Sequence, residues 1–155
     1  MLLQRDTTIR PAGPADARQV GDVFLAARAE ALPRLRPQLS EAETRDYLAR
    51  LIDQSKHAVW VAERDGHVVG FLALRESWVD HLYVHPDYYR NGIGTRLLDC
   101  AKQARPRGLR LYCFHCDQRA QAFYRARGLV AAGFAGGAGN AEPQPDVEYQ
   151  WKPAA

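Results

Sequence analysis

The residues best suited to chemistry gather in the middle of the chain. Asn91-Gly92-Ile93-Gly94-Thr95 follows the β-prone stretch Val79-Asp80-His81-Leu82-Tyr83-Val84 and opens a segment with helical spacing. Such a turn aims backbone N–H groups and the positive end of a helix at one point, which makes a cradle for an anion. Glycine at 92 and 94 lets phosphate oxygens approach the backbone where a Cβ would stand in the way, so a pyrophosphate is the expected ligand. Two nucleotide-binding alternatives fail on the residues present. No Gly-Lys-[Ser/Thr] completes a P-loop, and the third glycine and βαβ position of a dinucleotide fingerprint are missing.

Other candidate groups carry less. Cys113-Phe114-His115-Cys116 has the residue types of a metal site, but no second Cys or His pair stands nearby at ligand spacing, so no metal is expected. Three cysteines, Cys100, Cys113 and Cys116, are an odd number without a secretion signal, and reduced thiols are the expectation. The glycine-rich run from Gly133 to Asn140 leads into Pro143 and Pro145 with no helical pattern behind it, and reads as a loop rather than a second phosphate site. Trp60, Trp78 and Trp151 fall in strand-like stretches, where aromatic side chains usually serve the core.

Positioning these groups requires a mixed α/β order. Thr7 to Arg10 reads as a strand, and Pro14 can start a helix with Ala17, Val20, Phe24 and Ala27 on one face. Ser40-Glu41-Ala42-Glu43 has the form of a capping box ahead of the apolar face Tyr47, Leu48, Leu51 and Ile52. Ala58–Ala62 and Val68–Leu74 form two antiparallel strands around the turn Arg64-Asp65-Gly66. Trp78–Val84 is a further strand, Ile93–Ala104 a helix, and Leu109–Phe114 a strand, which implies a parallel crossover unit. Asp117 caps a helix running to Arg127, Gly128 stops it, and Val147–Trp151 closes the chain as a strand.

The 155 residues, 46% hydrophobic and 25% charged, suit one globular domain spanning 1–155 with no repeat array. A net charge of +3 on scattered arginines gives no basic stripe for nucleic acid, while suiting an anionic cofactor. The start of the chain lacks the pattern of a leader, and no apolar run reaches the ~18 residues of a membrane span. A cytoplasmic protein with no membrane partner is expected.

Leu82-Tyr83-Val84-His85-Pro86-Asp87-Tyr88 with Gly92-Ile93-Gly94-Thr95-Arg96-Leu97-Leu98 resembles the acetyl-CoA-binding motif of the GNAT superfamily of N-acetyltransferases. Pro14 and Asp16, Val69 to Leu74, Ala120, Phe123-Tyr124, Gly128 and the last strand match that family's order. The resemblance implies a GNAT-like fold. Its central sheet would be mixed and mostly antiparallel, of about six or seven strands, with helices on both faces and a parallel strand-helix-strand cofactor unit.

It further implies acetyl-CoA as acyl donor, with no metal. Backbone amides of Tyr89, Arg90, Asn91, Gly92, Ile93, Gly94 and Thr95 would hold the pyrophosphate. Leu82, Tyr83 and Val84 would pair with the pantetheine arm as an extra strand does. The family pattern begins with Gln or Arg, where this chain has Tyr89 followed by Arg90. Asp117 stands where the family often has an asparagine that reaches the cofactor arm; an ionised aspartate accepts but does not donate, so helix capping is its expected role.

Tyr124 corresponds to the tyrosine that protonates the departing thiolate, a transfer a phenol of reference pKa about 10 can make to a thiolate of reference pKa about 8.5. The acceptor the resemblance implies is a primary amine of a small molecule or peptide, which would have to lose a proton before direct attack. Asp80 matches the strand position of the family's base. Glu76 and His81 are weaker candidates, since alternation sends His81 to the opposite face from Asp80. An oxyanion donor is expected among the N–H groups near Leu82 or Tyr83. A silent acyl-CoA-binding or sensing module, or a transferase for a longer acyl-CoA, would share the cradle. The stretch from Ala29 to Tyr47 mixes Arg34 and Arg36 with Glu41 and Glu43 and names no acceptor. GNAT-like proteins often form dimers, which leaves a homodimer open.

Overall fold

The computed structural model describes residues 6–54, 56–135 and 146–153. Among these residues seven strands form one sheet in the order β1-β2-β3-β4-β5-β7-β6. They are β1 (Thr8–Pro11), β2 (Ala58–Arg64), β3 (His67–Arg75), β4 (Trp78–Val84), β5 (Leu109–Phe114), β6 (Val130–Ala135) and β7 (Asp146–Trp151). All neighbours are antiparallel except β4 and β5, which run parallel and share a single register pair, Trp78 with Arg110. Beyond that pair the two strands have no register partners, and a gap opens between Asp80–Val84 and Leu111–Phe114.

Helices cover both faces. On one side, α1 (Ala17–Ala31) and α2 (Glu41–Gln54) bury Val20, Val23, Phe24, Leu48 and Leu51 against Val59, Val61, Phe71 and Ala73 of the sheet. On the other, α3 (Ile93–Ala104) and α4 (Gln118–Ala126) bury Ile93, Leu97, Leu98, Ala101 and Tyr124 against Leu72, Leu74, Leu111, Val147 and Tyr149. Strand alternation sorts the sheet residues between the two cores, Phe71 to one and Leu72 to the other.

Local chemistry explains the element ends. Asp65 (φ 53°) and Gly66 (φ 78°) form a two-residue hairpin between Arg64 and His67 with both central residues left-handed, the turn whose twist suits flanking strands. Ser40 and Glu43 exchange their expected capping bonds, each 3.1 Å. Asp117 accepts from the Ala120 N–H at 3.1 Å and caps α4. The chain after Pro14 makes a 3₁₀ turn, Pro14–Asp16, before α1 begins.

One strand departs from the sequence reading. β6 takes in Gly133, which was expected to begin a loop; residues 136–145, the rest of that expected loop, lie outside the described residues. The Val-Ala-Ala-Gly sequence of β6 has weak strand propensity, and its pairing with β7 from Val130 to Ala135 supplies what propensity does not.

A polar clamp fixes the N-terminal strand to the start of α1. Arg10 Nη1 and Nη2 donate to the two Asp16 carboxylate oxygens at 2.8 and 2.9 Å, and Arg10 Nε donates to Glu63 at 2.6 Å. Asp16 also accepts from the Gly13 N–H at 2.8 Å. The guanidinium holds the Asp16 carboxyl below its ordinary range. Removing the carboxylate strands a partly desolvated arginine, so Asp16→Ala should cost about 2 kcal/mol in urea unfolding. A loss below about 0.5 kcal/mol would show that the clamp contributes nothing.

Candidate active site

Two cavities meet in the gap between β4 and β5. The first, about 360 Å³, is lined by Leu82, Tyr83 and Val84, by the loop from Tyr88 to Thr95, and by α4 residues including Arg119, Phe123 and Tyr124. The second, about 310 Å³, is lined by Phe24, Arg28, Asp80, His81, Tyr112 and Phe114 among others. Leu82, Tyr83, Asp117, Ala120 and Tyr124 belong to the walls of both. All the residues expected to bind a cofactor line the first cavity except Asn91, which braces the loop by donating to the Tyr88 and Tyr89 carbonyls at 3.0 and 3.1 Å.

At the floor of the first cavity α3 starts without a side-chain cap. Its N-cap is Gly92, and the first carbonyl–amide bond across the turn is Arg96 N–H to Gly92 O at 3.1 Å. The N–H groups of Ile93, Gly94 and Thr95 therefore precede the helical ladder and carry the positive end of the helix. The two glycines differ in their reasons. Gly92 is left-handed (φ 74°), and a Cβ there would meet no protein atom within 4 Å, so its backbone conformation requires glycine. At Gly94 a Cβ would press on the Phe123 ring at 3.2 Å, so the missing side chain lets α3 approach α4.

The open edge of β4 supplies further backbone groups. His85 N–H donates to Val69 O on β3 at 2.8 Å, so alternation turns Tyr83 N–H toward β3 as well. The N–H and C=O groups of Leu82 and Val84 then point into the gap. Of the two N–H groups expected to include an oxyanion donor, that of Leu82 faces the gap and that of Tyr83 faces β3.

Asp80 and His81 were expected on opposite faces, and the structure corrects this. The β3–β4 register passes from Ala73 with His81 to Leu74 with Val79, leaving Asp80 without a partner on β3. This bulge lets both residues line the second cavity. Asp80 Oδ2 stands 2.7 Å from His57 Nε2 and accepts from Arg75 Nε at 2.9 Å, while Oδ1 accepts from Arg75 Nη2 at 3.3 Å. His81 is packed among Phe24, Tyr47, Phe71 and Tyr83, with Nε2 hydrogen-bonded to the Tyr47 hydroxyl at 2.8 Å and a buried, unpartnered Nδ1. Burial lowers its pKa to about 4. Glu76 lies in an exposed turn with φ 55° and lines neither cavity.

Tyr124 is buried at the junction, with its ring beside Phe123 and Tyr149. Within the described residues its hydroxyl makes no hydrogen bond. Burial, reinforced by Cys113, Tyr83 and Asp117, raises its pKa and keeps the phenol protonated. Burial also pushes the Cys113 thiol up to about 12, which makes it a poor nucleophile. Among the described residues no three His, Cys, Asp or Glu groups stand together as metal ligands.

Sequence reasoning missed three contributors to this site. Arg119 stacks over Tyr89, His57 braces Asp80, and Tyr47 holds His81. Each joins residues far apart in sequence, and only the motif around Tyr89 and the residue types themselves hinted at them. Trp78 lies at the edge, stacked on Tyr112 at 5.1 Å under the Arg110 guanidinium, while Trp60 and Trp151 pack against the core. No helix among the described residues is long and apolar enough to cross a membrane.

Comparison with known proteins bears on the family and the fold. A family model described as "Acetyltransferase (GNAT) domain" matches residues 55–129. The chain is 36% identical over 71 residues to peptidyl-lysine N-acetyltransferase YiaC of Escherichia coli, a match covering 45% of this chain and 48% of that one. The chain thus spans about half the length of that relative. The solution structure of apo YjaB from Escherichia coli superposes with a TM-score of 0.80 at 20% identity, covering 96% of this chain and 99% of that chain. PaiA N-acetyltransferase from Thermoplasma acidophilum, solved in complex with coenzyme A, gives a TM-score of 0.74 at 17% identity, with 96% and 99% covered.

Keeping the His81 imidazole neutral makes stability depend on pH. The folded pKa of about 4 lies below the ordinary 6.5, so the unfolded chain takes up a proton that the folded chain refuses. The contribution is complete above pH 6.5 and is lost as pH falls toward 4, up to roughly 3 kcal/mol. Urea unfolding across that window should show a shallower fall for His81→Gln than for the parent, with Asp80 and His57 left in place beside it. Parallel curves would mean that His81 titrates normally.

Proposed function

The chain belongs to the GNAT superfamily of acyl-CoA-dependent N-acetyltransferases, and from that premise we propose that it moves an acetyl group from acetyl-CoA to a primary amine by direct transfer. The observation that carries the reading is the position of Tyr124, a protonated phenol in the wall common to the two cavities. One cavity then takes the acyl donor and the other the amine. The peptidyl-lysine activity of the relative YiaC supports an amine acceptor on a small molecule or a peptide.

The residues present fit coenzyme A. The orphan N–H groups of Ile93, Gly94 and Thr95 face a cavity suited to a pyrophosphate, with Tyr89, Arg90 and Gly92 beside them. The free edge of β4 at Leu82 and Val84 can bind an amide-bearing arm as a neighbouring strand would. Bound there, acetyl-CoA supplies an activated thioester carbonyl.

The chain's own groups then divide the work. Leu82 N–H points into the gap and stabilises the developing oxyanion. Asp80, held by Arg75 and His57, accepts the amine proton through water by way of Oδ1, the oxygen with only the longer Arg75 contact. Tyr124 donates its proton to the sulfur as the carbon–sulfur bond breaks. Asp117 both caps α4 and lines the two cavities, so its carboxylate accepts from the cofactor arm at their junction.

Thiol release with a panel of primary amines, including lysine peptides, tests the activity. Tyr124→Phe should lower kcat by about 10²-fold while calorimetric affinity for coenzyme A stays within about twofold. Unchanged kcat would remove Tyr124 from the reaction. A folded parent that fails to bind coenzyme A would end the acetyltransferase reading.

A further inference from the structure

We propose that Arg119, on the far lip of the first cavity, closes over the cofactor pyrophosphate as its principal side-chain cation, and that Tyr89 holds it in place. The inference rests on the coenzyme A reading above and concerns which residues recognise the diphosphate. Among the described residues three arginines line that cavity: Arg90, Arg119 and Arg127. Arg127 is committed elsewhere, its Nε donating to Thr95 Oγ1 at 2.8 Å and its guanidinium resting 4.4 Å from the Phe123 ring centroid. Arg90 sits in the loop with φ 67° and an exposed side chain.

Arg119 is exposed as well, but it is held by a ring. Its guanidinium carbon lies 3.7 Å from the centroid of the Tyr89 ring, joining α4 to the loop that precedes α3. A guanidinium face laid on a ring leaves its N–H edge free, and Arg119 makes no hydrogen bond within the described residues. The ring therefore fixes the cation without consuming its donors. An anion in the cradle would lie between this planar fork and the orphan N–H groups of α3, so two lips would supply positive charge to one ligand. Such an arrangement also accounts for the tyrosine at position 89, where the motif usually carries a polar or cationic side chain of its own.

Calorimetry with coenzyme A and with 3′-dephospho-coenzyme A tests this, using Arg119→Gln, Tyr89→Ala and the double variant after their folding is verified by thermal unfolding. Arg119→Gln should weaken both ligands about tenfold and flatten the salt dependence of binding. Tyr89→Ala should lose a similar factor, and the double variant should lose little more than either alone. Equal affinity for Arg119→Gln and the parent would overturn the proposal while leaving the acetyltransferase reading intact. A loss confined to coenzyme A would also overturn it, by assigning Arg119 to the 3′-phosphate. Fully additive losses would remove Tyr89 from its holding role, and a parent that binds neither ligand would end both readings.

Discussion

The separation of β4 from β5 is the constraint on which the rest of the site depends. Two parallel strands that meet only at Trp78 and Arg110 leave a run of backbone N–H and C=O groups unpaired inside the fold. Ordinary sheet economy would close that gap. On their other edges both strands are held in the sheet, β4 by β3 except at Asp80 and β5 by β7 over its whole length, so the sheet stays continuous while these two edges part. The bulge at Asp80 adds local twist at the point where the strands part. The α4 helix, packed through Tyr124 against β5 and β7, then bounds the opening with side chains rather than backbone.

Polar groups around the opening are arranged so that few of them are left to chance. Tyr149 donates its hydroxyl to Gln121 Oε1 at 3.0 Å, and Gln121 Nε2 donates to the His115 carbonyl at 2.6 Å, which ties β7, α4 and the end of β5 together. Asp80 is hydrogen-bonded by Arg75 and lies against His57, whereas its neighbour His81 is buried among aromatic rings as a neutral group. Adjacent residues on one strand thus meet opposite electrostatic settings. This division is how a short bulge can present both an anion and an uncharged hydrogen-bonding ring to one cavity.

Much of this order was legible in the chain itself. Trp78–Val84, Ile93–Ala104 and Leu109–Phe114 could be bounded because proline, glycine and apolar spacing act locally, and the same holds for the Asp65-Gly66 hairpin and the Asp117 cap. The turn into α3 at Gly92 was legible for the same reason. What could not be read depends on pairing between distant segments. β6 exists because β7 offers it a ladder, and the bulge at Asp80 is defined only against β3. The contact of Arg119 with Tyr89 crosses thirty positions, so no periodicity announces it. The causes of the two glycines were not legible either, since Gly92 answers to backbone conformation and Gly94 to the Phe123 ring.

The depth of Tyr124 sets a condition on the proposed chemistry. Burial raises the pKa of its phenol, which guarantees the proton at neutral pH but weakens the acid. Against a thiolate in bulk water, such an acid would be mismatched. The same desolvation acts on a thiolate formed in the same wall, however, because removing water penalises either anion in the same direction. Proton transfer between two groups that share one dry environment therefore stays nearer to balance than the shift of either alone suggests. Efficient general-acid help from Tyr124 requires that the sulfur leave within the enclosed junction of the two cavities, so the cleft's closure and the acid's strength are parts of one design rather than separate features.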